Sequence, residues 1–252
     1  MQHLQLEKLV NDMLAVQLFR DYSPNGLQVE GRSEVQRILC GVTASQALLD
    51  AAVEQQVDAV MVHHGYFWGN EAPAIRGMKK RRLQTLLKHD INLYAWHLPL
   101  DAHPQWGNNA CLGRELGFTI TGPLVAGDPT CLLMTGTVAT PCSGAALQAQ
   151  LQTTLRRDVL HCGDQAPAEI HKVAWCTGGG QSYLAQAAEA GFDAFITGEV
   201  SEQTIHIARE MGIHFFAAGH HATERYGIRA LGEWLANQHG LEVTFLDIDN
   251  PA

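Results

Sequence analysis

The sequence predicts an α/β protein made of two similar lobes, related by an internal repeat, with a metal site in the cleft between them. Three observations carry that expectation. Apolar strand-like runs alternate with helical periodicities, the pattern of βαβ units and a largely parallel sheet. A shift of 135 residues lays residues 36–64 over residues 171–199 without a gap. Three apolar runs also end in metal-ligating residue types. Val60-Met61-Val62 leads into His63-His64-Gly65, and Leu93-Tyr94-Ala95-Trp96 into His97, with Asp101 four residues on. Phe215-Phe216-Ala217-Ala218 leads into Gly219-His220-His221, with Glu224 four residues after His220.

Residues 4–19 read as a helix, with Leu4, Leu6, Leu9, Val10, Met13, Leu14 and Leu18 mostly at helical spacing. Ser23-Pro24-Asn25-Gly26 is a turn, and residues 27–29 a short strand. A strand over 37–42 gives way to Thr43-Ala44-Ser45, which caps a helix running to about Gln56. Residues 58–62 form the next strand and end at the histidine pair. Residues 65–77 read as a loop with an aromatic lip of Tyr66, Phe67 and Trp68, followed by a helix to His89 and a strand over 91–96. The glycine- and proline-rich stretch 121–143 reads as the boundary region, with a strand at 131–137 inside it. The lobes are therefore expected at roughly 1–126 and 127–252, with the C-terminal segment free to pack back on the first lobe.

The repeat is carried by identities and by apolar positions. Gln46 falls on Gln181, Leu49 on Leu184, Ala52 on Ala187, Glu54 on Glu189, and Asp58-Ala59 on Asp193-Ala194. Further on, Ile91-Asn92-Leu93-Tyr94-Ala95 resembles Ile213-His214-Phe215-Phe216-Ala217, and each run is soon followed by a His-x-x-x-acid spacing. His63-His64 correspond to Gly198-Glu199, so the second lobe has no histidine pair of its own. One asymmetric site is more economical than two symmetric ones.

The carboxyl ends of strands in an open α/β sheet are where ligands bind. Imidazoles mixed with carboxylates suit Zn, Fe, Mn or Ni, and the sequence does not choose among them. Five or six such residues are too many for one tetrahedral ion and suit two. A lone histidine is more often a surface or hydrogen-bonded residue, and that reading is taken for His3, His89, His161, His171, His206, His214 and His239. A His-His pair at the end of an apolar strand is different, because each buried imidazole must find polar partners. His63, His64, Asp101, His220 and Glu224 are therefore read as ligands. His97 and His221 stand between ligand, support and bystander, His97 with a possible acid–base role, and His103 could go either way. Gly178-Gly179-Gly180 is either a tight strand-to-helix turn or a close approach of amides to an anionic substrate. Tyr66, Gly179, Gly180 and Glu199 are the candidate substrate-binding residues, with the aromatic lip a ring platform or a packed loop.

Composition narrows the function. Apolar residues make up 46% and charged residues 17%, against disorder. A net charge of −9 gives no general attraction to nucleic acid, and strong duplex binding is not expected. The basic run over 76–82 is read first as a solvated helix start, and second as an anion-binding rim. Six cysteines without CxxC spacing fit buried free thiols in a reducing compartment. With no signal peptide and no apolar run approaching ~18 residues, the expected location is cytoplasmic, with no membrane partner.

Gly26-Leu27-Gln28-Val29, Val62-His63-His64-Gly65, His97-Leu98-Pro99-Leu100-Asp101, Thr177-Gly178-Gly179-Gly180, Ile196-Thr197-Gly198-Glu199 and Gly219-His220-His221-Ala222-Thr223-Glu224 occur in that order. Together they resemble the YbgI-like branch of the Nif-three-like family, the "GTP cyclohydrolase I type 2 homologue" group. The resemblance implies a dinuclear centre with two divalent ions per subunit and a homohexameric ring. It implies that Glu224 bridges the ions, with His64 and Asp101 on one and His63 and His220 on the other. The expected activity is metal-dependent hydrolysis of a cyclic amide, nucleotide or related small molecule. A non-enzymatic metal-binding scaffold and a nucleic-acid-processing phosphodiesterase are the competing readings.

Overall fold

The periodicities become, in chain order, α1 (His3–Met13), β1 (Gly26–Val29), β2 (Arg37–Thr43), α2 (Gln46–Glu54), β3 (Ala59–His64), α3 (Gly77–His89), β4 (Asn92–Ala95) and α4 (Leu98–Ala102). There follow α5 (Asn108–Glu115), β5 (Thr119–Pro123), β6 (Met134–Cys142), α6 (Gly144–Leu155), β7 (Leu160–Cys162) and β8 (Ile170–Cys176). The chain closes with α7 (Leu184–Glu189), β9 (Ala194–Thr197), α8 (Glu202–Met211), β10 (His214–Ala217), α9 (His220–His239) and β11 (Glu242–Phe245). This computed structural model describes residues 1–252. They divide into two compact units, Met1–Leu100 with Gly227–Asp249, and Asp101–Tyr226 with Asn250–Ala252.

The first unit is built on one sheet of order β1-β4-β3-β2-β11, in which only β1 runs antiparallel to its neighbour. Its central strands are apolar on both faces, as strands covered by helices on each side must be. Side chains alternate across the sheet. Ile38, Met61 and Tyr94 meet Leu6 and Val10 of α1 and Ile228 and Leu231 of α9 on one face. Leu39, Val60, Val62 and Leu93 meet Leu48 and Leu49 of α2 and Leu86 of α3 on the other. Each such leucine stabilises the fold by about 1.5–3 kcal/mol relative to an exposed one. The Ser45 Oγ accepts the Leu48 amide at 3.3 Å and caps α2.

The second unit carries a sheet of order β5-β6-β8-β9-β10-β7. The expectation of a largely parallel sheet holds for the first unit and fails here. Only β8-β9-β10 are parallel; the β5-β6, β6-β8 and β10-β7 pairings are antiparallel. The physical reason is the stretch 119–162. It breaks the βαβ alternation: β5 and β6 follow one another with no helix between them, and β7, after α6, joins the opposite edge of the sheet beside β10. The strand expected over 131–137 starts at Met134 and continues to Cys142. The helix expected over 4–19 stops at Met13, because Ala15 turns into the left-handed region (φ 49°) and a single 3-10 turn follows. Leu4 and Leu18, read as part of its apolar stripe, are 56% and 51% exposed.

The 135-residue offset is written in backbone bonds. In the first unit Asp58 accepts the amides of Gln36 and Arg37 at 2.9 and 2.8 Å, and in the second Asp193 accepts those of His171 and Lys172, both at 2.8 Å. Val57 donates to the Ala52 carbonyl, and Phe192 likewise to that of Ala187. Each carboxylate ties the start of one parallel strand to the start of the next. The six cysteines are all free, and no helix is long and apolar enough to cross a membrane.

Asp58 also takes a bond from Arg32 Nη1 at 2.9 Å. Burial would raise its carboxyl pKa, but the Arg37 and Gln36 amides and the Arg32 guanidinium outweigh burial and hold it below its ordinary value of 3.8. A depressed pKa gives stability that is present above about pH 4 and lost as pH falls through the folded-state value. Asp58→Ala should therefore lower stability at neutral pH by about 2–4 kcal/mol, seen as a lower urea midpoint, and flatten the acid limb of the stability curve. A loss under about 0.5 kcal/mol, the size of an ordinary surface substitution, would remove this carboxylate from the account.

Candidate metal centre

In the first unit, β3 delivers His63 and His64, and the chain leaving β4 delivers His97. The three ring centroids lie 4.5, 5.2 and 5.7 Å apart, and their candidate ligand atoms fall within 4.8 Å of one another. Each ring is held by its Nδ1. His63 Nδ1 donates to the Trp96 carbonyl at 2.9 Å, and His64 Nδ1 meets the Thr43 hydroxyl at 3.3 Å. His97 Nδ1 donates to Asp21 Oδ1 at 2.7 Å. For His63 and His97, whose Nδ1 partners can only accept, the proton is committed at Nδ1 and Nε2 carries the lone pair, the arrangement of metal-bound histidines. Trp68 stands edge-on to His97, with centroids 4.9 Å apart.

Asp21 is the residue that reading the sequence missed. Its other oxygen accepts the Leu98 amide at 2.9 Å and the Asn25 side chain at 2.9 Å, and Asn25 Oδ1 in turn accepts the His97 amide. Burial works to raise its pKa, yet the hydrogen bond and charge of His97, with Asn25 and the Tyr22 amide, bring it below the ordinary aspartate value. Asp21 is thus an ionised anchor for His97. No local pattern marks it: it lies outside regular structure, 76 residues from its partner.

In the second unit, Asp101 is 5% exposed and accepts the Asn108 side chain at 2.8 Å and the Thr177 hydroxyl at 3.4 Å. The first turn of α9 places His220 and Glu224 on one face, where His220 Nε2 and Glu224 Oε2 are 3.0 Å apart. His220 Nδ1 donates to Glu199 Oε1 at 2.8 Å, so Glu199 holds a histidine rather than a ligand. Burial disfavours the His220 imidazolium, but Glu224 and Glu199 outweigh it and lift the pKa to about 9. A cation taking Nε2 must displace that proton. The triple glycine gives the carboxylate room: Gly178 has φ +63°, and a Cβ there would lie 1.9 Å from Glu224 Oε1. Gly180 donates to Thr197 Oγ1 at 3.0 Å, and Gly178 to Thr223 Oγ1 at 3.0 Å. Two amides of the turn are thus spent on threonines of β9 and α9.

Other expected residues fall elsewhere. Tyr66 is not a substrate platform: it is 5% exposed in the core beside Leu83 and Leu86, with its hydroxyl on the Ala44 carbonyl at 2.7 Å. The aromatic lip is therefore largely a packed loop. His103 accepts the Gln105 and Trp106 amides and stacks on Trp106, a structural role. In the basic run, Lys79 pairs with Glu71 at 3.1 Å. His221 is 9% exposed, and its amide donates to the Ala252 carbonyl at 3.2 Å.

Imidazoles fixed through Nδ1 beside buried, hydrogen-bonded carboxylates fit a borderline divalent cation. Fold and donor set define a class: an α/β protein whose strand ends carry His, Asp and Glu groups that could bind a metal. More particularly, the chain belongs to the Duf34/NIF3 (NGG1p interacting factor 3) family, whose model matches residues 1–251. It is 62% identical over 252 residues to a "GTP cyclohydrolase 1 type 2 homolog" of Yersinia pestis and 59% identical to that of Escherichia coli K12, with 100% of each chain covered. The solved structure of "protein ybgI, unknown function" matches with a TM-score of 0.97 at 59% identity, covering 100% of both chains. The TTHA1606 protein of Thermus thermophilus matches with a TM-score of 0.90 at 34% identity, also over 100% of both.

The glycine cradle is testable against a glycine that has only backbone strain. Gly191 has φ +77° and open space around its missing Cβ. Gly191→Ala should cost about 1–2 kcal/mol, the ordinary penalty for a left-handed alanine. Gly178→Ala should cost at least about 1 kcal/mol more, because Glu224 must also be displaced. Equal melting-temperature losses in the two variants would show that Gly178 is not there to seat Glu224.

Proposed function

We propose that this chain is a divalent-metal-dependent hydrolase of a small molecule, a cyclic amide, nucleotide or relative of these. In this reading His63, His64, Asp101, His220 and Glu224 together hold two ions. By the family resemblance, Glu224 would be shared between them, with His64 and Asp101 serving one and His63 and His220 the other. The observation that carries the proposal is the fixing of His63 and His220 through Nδ1 on oxygens that can only accept, which leaves Nε2 as the coordinating atom. The relatives' name, "GTP cyclohydrolase 1 type 2 homolog", supports hydrolysis of a heterocyclic ring. When bound, two such ions supply a water acidified toward neutrality and a clamp for the oxyanion that develops on the substrate.

The chain's own residues supply the proton handling and the orientation. His97 Nε2 accepts the proton of the attacking water while its Nδ1–H stays on Asp21 Oδ1. Asp21 fixes the tautomer and stabilises the imidazolium as it forms. Glu199 does the same positioning for His220 through Nδ1. The edge of Trp68 beside His97 helps keep bulk water away from that ring.

Elemental analysis of protein purified without added metal should find about two divalent ions per chain. Glu224→Ala should lose both, and Asp101→Ala mainly one. A screen of nucleotides, cyclic amides and phosphoesters should find turnover that His63→Ala abolishes. Asp21→Asn should keep the metal content but lower kcat by roughly 10²-fold or more, the usual worth of a positioned acid–base group. Protein that neither carries metal nor takes it up on titration contradicts the proposal. Tight ligand binding without turnover assigns the chain to the scaffold reading instead.

A further inference from the structure

A cavity of about 540 Å³ opens on the second unit beside His220. That size suits a small-molecule ligand. Its apolar wall includes Val159, Leu160 and Val200, and Arg157 lies in its lining together with Glu199 and His220. Arg157 follows the left-handed residue that ends α6. Its Nε donates to the Asp158 carbonyl at 3.1 Å, while Nη1 is shielded from solvent and meets no acceptor. The guanidinium lies against the backbone of Gly219, where a Cβ would stand 1.9 Å from Nη1, and Gly219 (φ +95°) leads directly into His220.

With Nε on the Asp158 carbonyl and Nη1 packed against Gly219 out of reach of solvent, Nη2 is the donor that Arg157 has left for a ligand in the cavity. The acidic groups of the lining are not paired with the guanidinium, Ala252 included, whose oxygen takes the His221 amide at 3.2 Å. Glu199 is engaged by His220 at 2.8 Å and by Gln181 at 3.2 Å. Asp158 is exposed and offers Arg157 its carbonyl rather than its carboxylate. The free edge of a planar guanidinium, half of the usual fork of donors, next to an apolar wall suits a phosphate or carboxylate carried on a ring or chain.

We propose that this cavity binds the anionic group of a small-molecule ligand, a phosphate or a carboxylate, through Arg157, with the ligand's apolar body against Leu160 and Val200. The anion is thereby held at the Gly219–His220 junction, at the edge of the proposed metal centre. This rests on the hydrolase reading only in taking His220 for a ligand. The anion site itself stands on Arg157 and the cavity.

Calorimetric titration of the full chain with inorganic phosphate, phenyl phosphate and benzoate tests it, with metal content measured on the same samples. Phenyl phosphate or benzoate should bind saturably, and whichever binds tighter identifies the anion class. Arg157→Gln should weaken that binding about tenfold or more, and Arg157→Lys, which keeps the charge but not the fork, should fall between. Neither should change the metal content. Leu160→Trp, at a position 44% exposed and hence tolerant of change, should weaken phenyl phosphate but spare inorganic phosphate. Binding that depends on Arg157 in protein that takes up no metal would support the anion site while the metal reading fell. Metal-loaded protein that binds none of the three anions, or binds them equally in Arg157→Gln and wild type, would overturn the anion site and leave the metal reading standing.

Discussion

The candidate centre depends on one kind of bond: an oxygen holding the Nδ1 of an imidazole. The Trp96 carbonyl does this for His63, Asp21 for His97 and Glu199 for His220. A neutral imidazole without such a partner can present either nitrogen and can turn about its χ angles. With the partner, tautomer and ring plane are both set before any ligand arrives. The acceptors differ in character, one a backbone carbonyl and two carboxylates. Carboxylates add charge: at His220, Glu224 and then Glu199 outweigh burial and lift the pKa to about 9.

These acceptors are in place because of the sheets. Parallel strands end together, so the carbonyl of Trp96, just beyond β4, lies beside His63 near the end of the neighbouring strand β3. In the second unit the end of β9 brings Glu199 to the first turn of α9, which carries His220. The strand starts are tied by Asp58 and Asp193, whose oxygens accept pairs of amides from the preceding strand. Register fixed at one end of a strand fixes the histidine position at the other. Close backbone approach does the remaining work: Gly198 has the Gly178 carbonyl and the His220 backbone within 2.8 Å of where its Cβ would be.

Much of this is legible in the amino-acid order because it rests on local pattern. The apolar runs before His63, His97 and His220 do end where the strands end, and the match between residues 36–64 and 171–199 reappears as the same hydrogen bonds around Asp58 and Asp193. What escapes the sequence is long-range pairing. Nothing near Asp21 announces His97, and Asn25, which holds both, reads only as a turn former. Arg157 looks like any basic residue at a helix end until the fold lays it on Gly219. Tyr66, on an exposed-looking aromatic lip, turns inward to the Ala44 carbonyl. The antiparallel pairing of β5 with β6 is hidden for a different reason: the glycine- and proline-rich stretch that carries most of both looks like a boundary.

The central claim is that pre-oriented Nε2 atoms and buried carboxylates hold two metal ions. Anomalous diffraction from crystals of the protein, collected on both sides of the absorption edge of the metal found by elemental analysis, tests it most directly. The account predicts two peaks per chain about 3.5–4 Å apart, contacting Nε2 of His63, His64 and His220, with Glu224 between them and Asp101 on one. A single peak elsewhere, coordination through Nδ1, or no anomalous signal at these residues in metal-replete protein would contradict it.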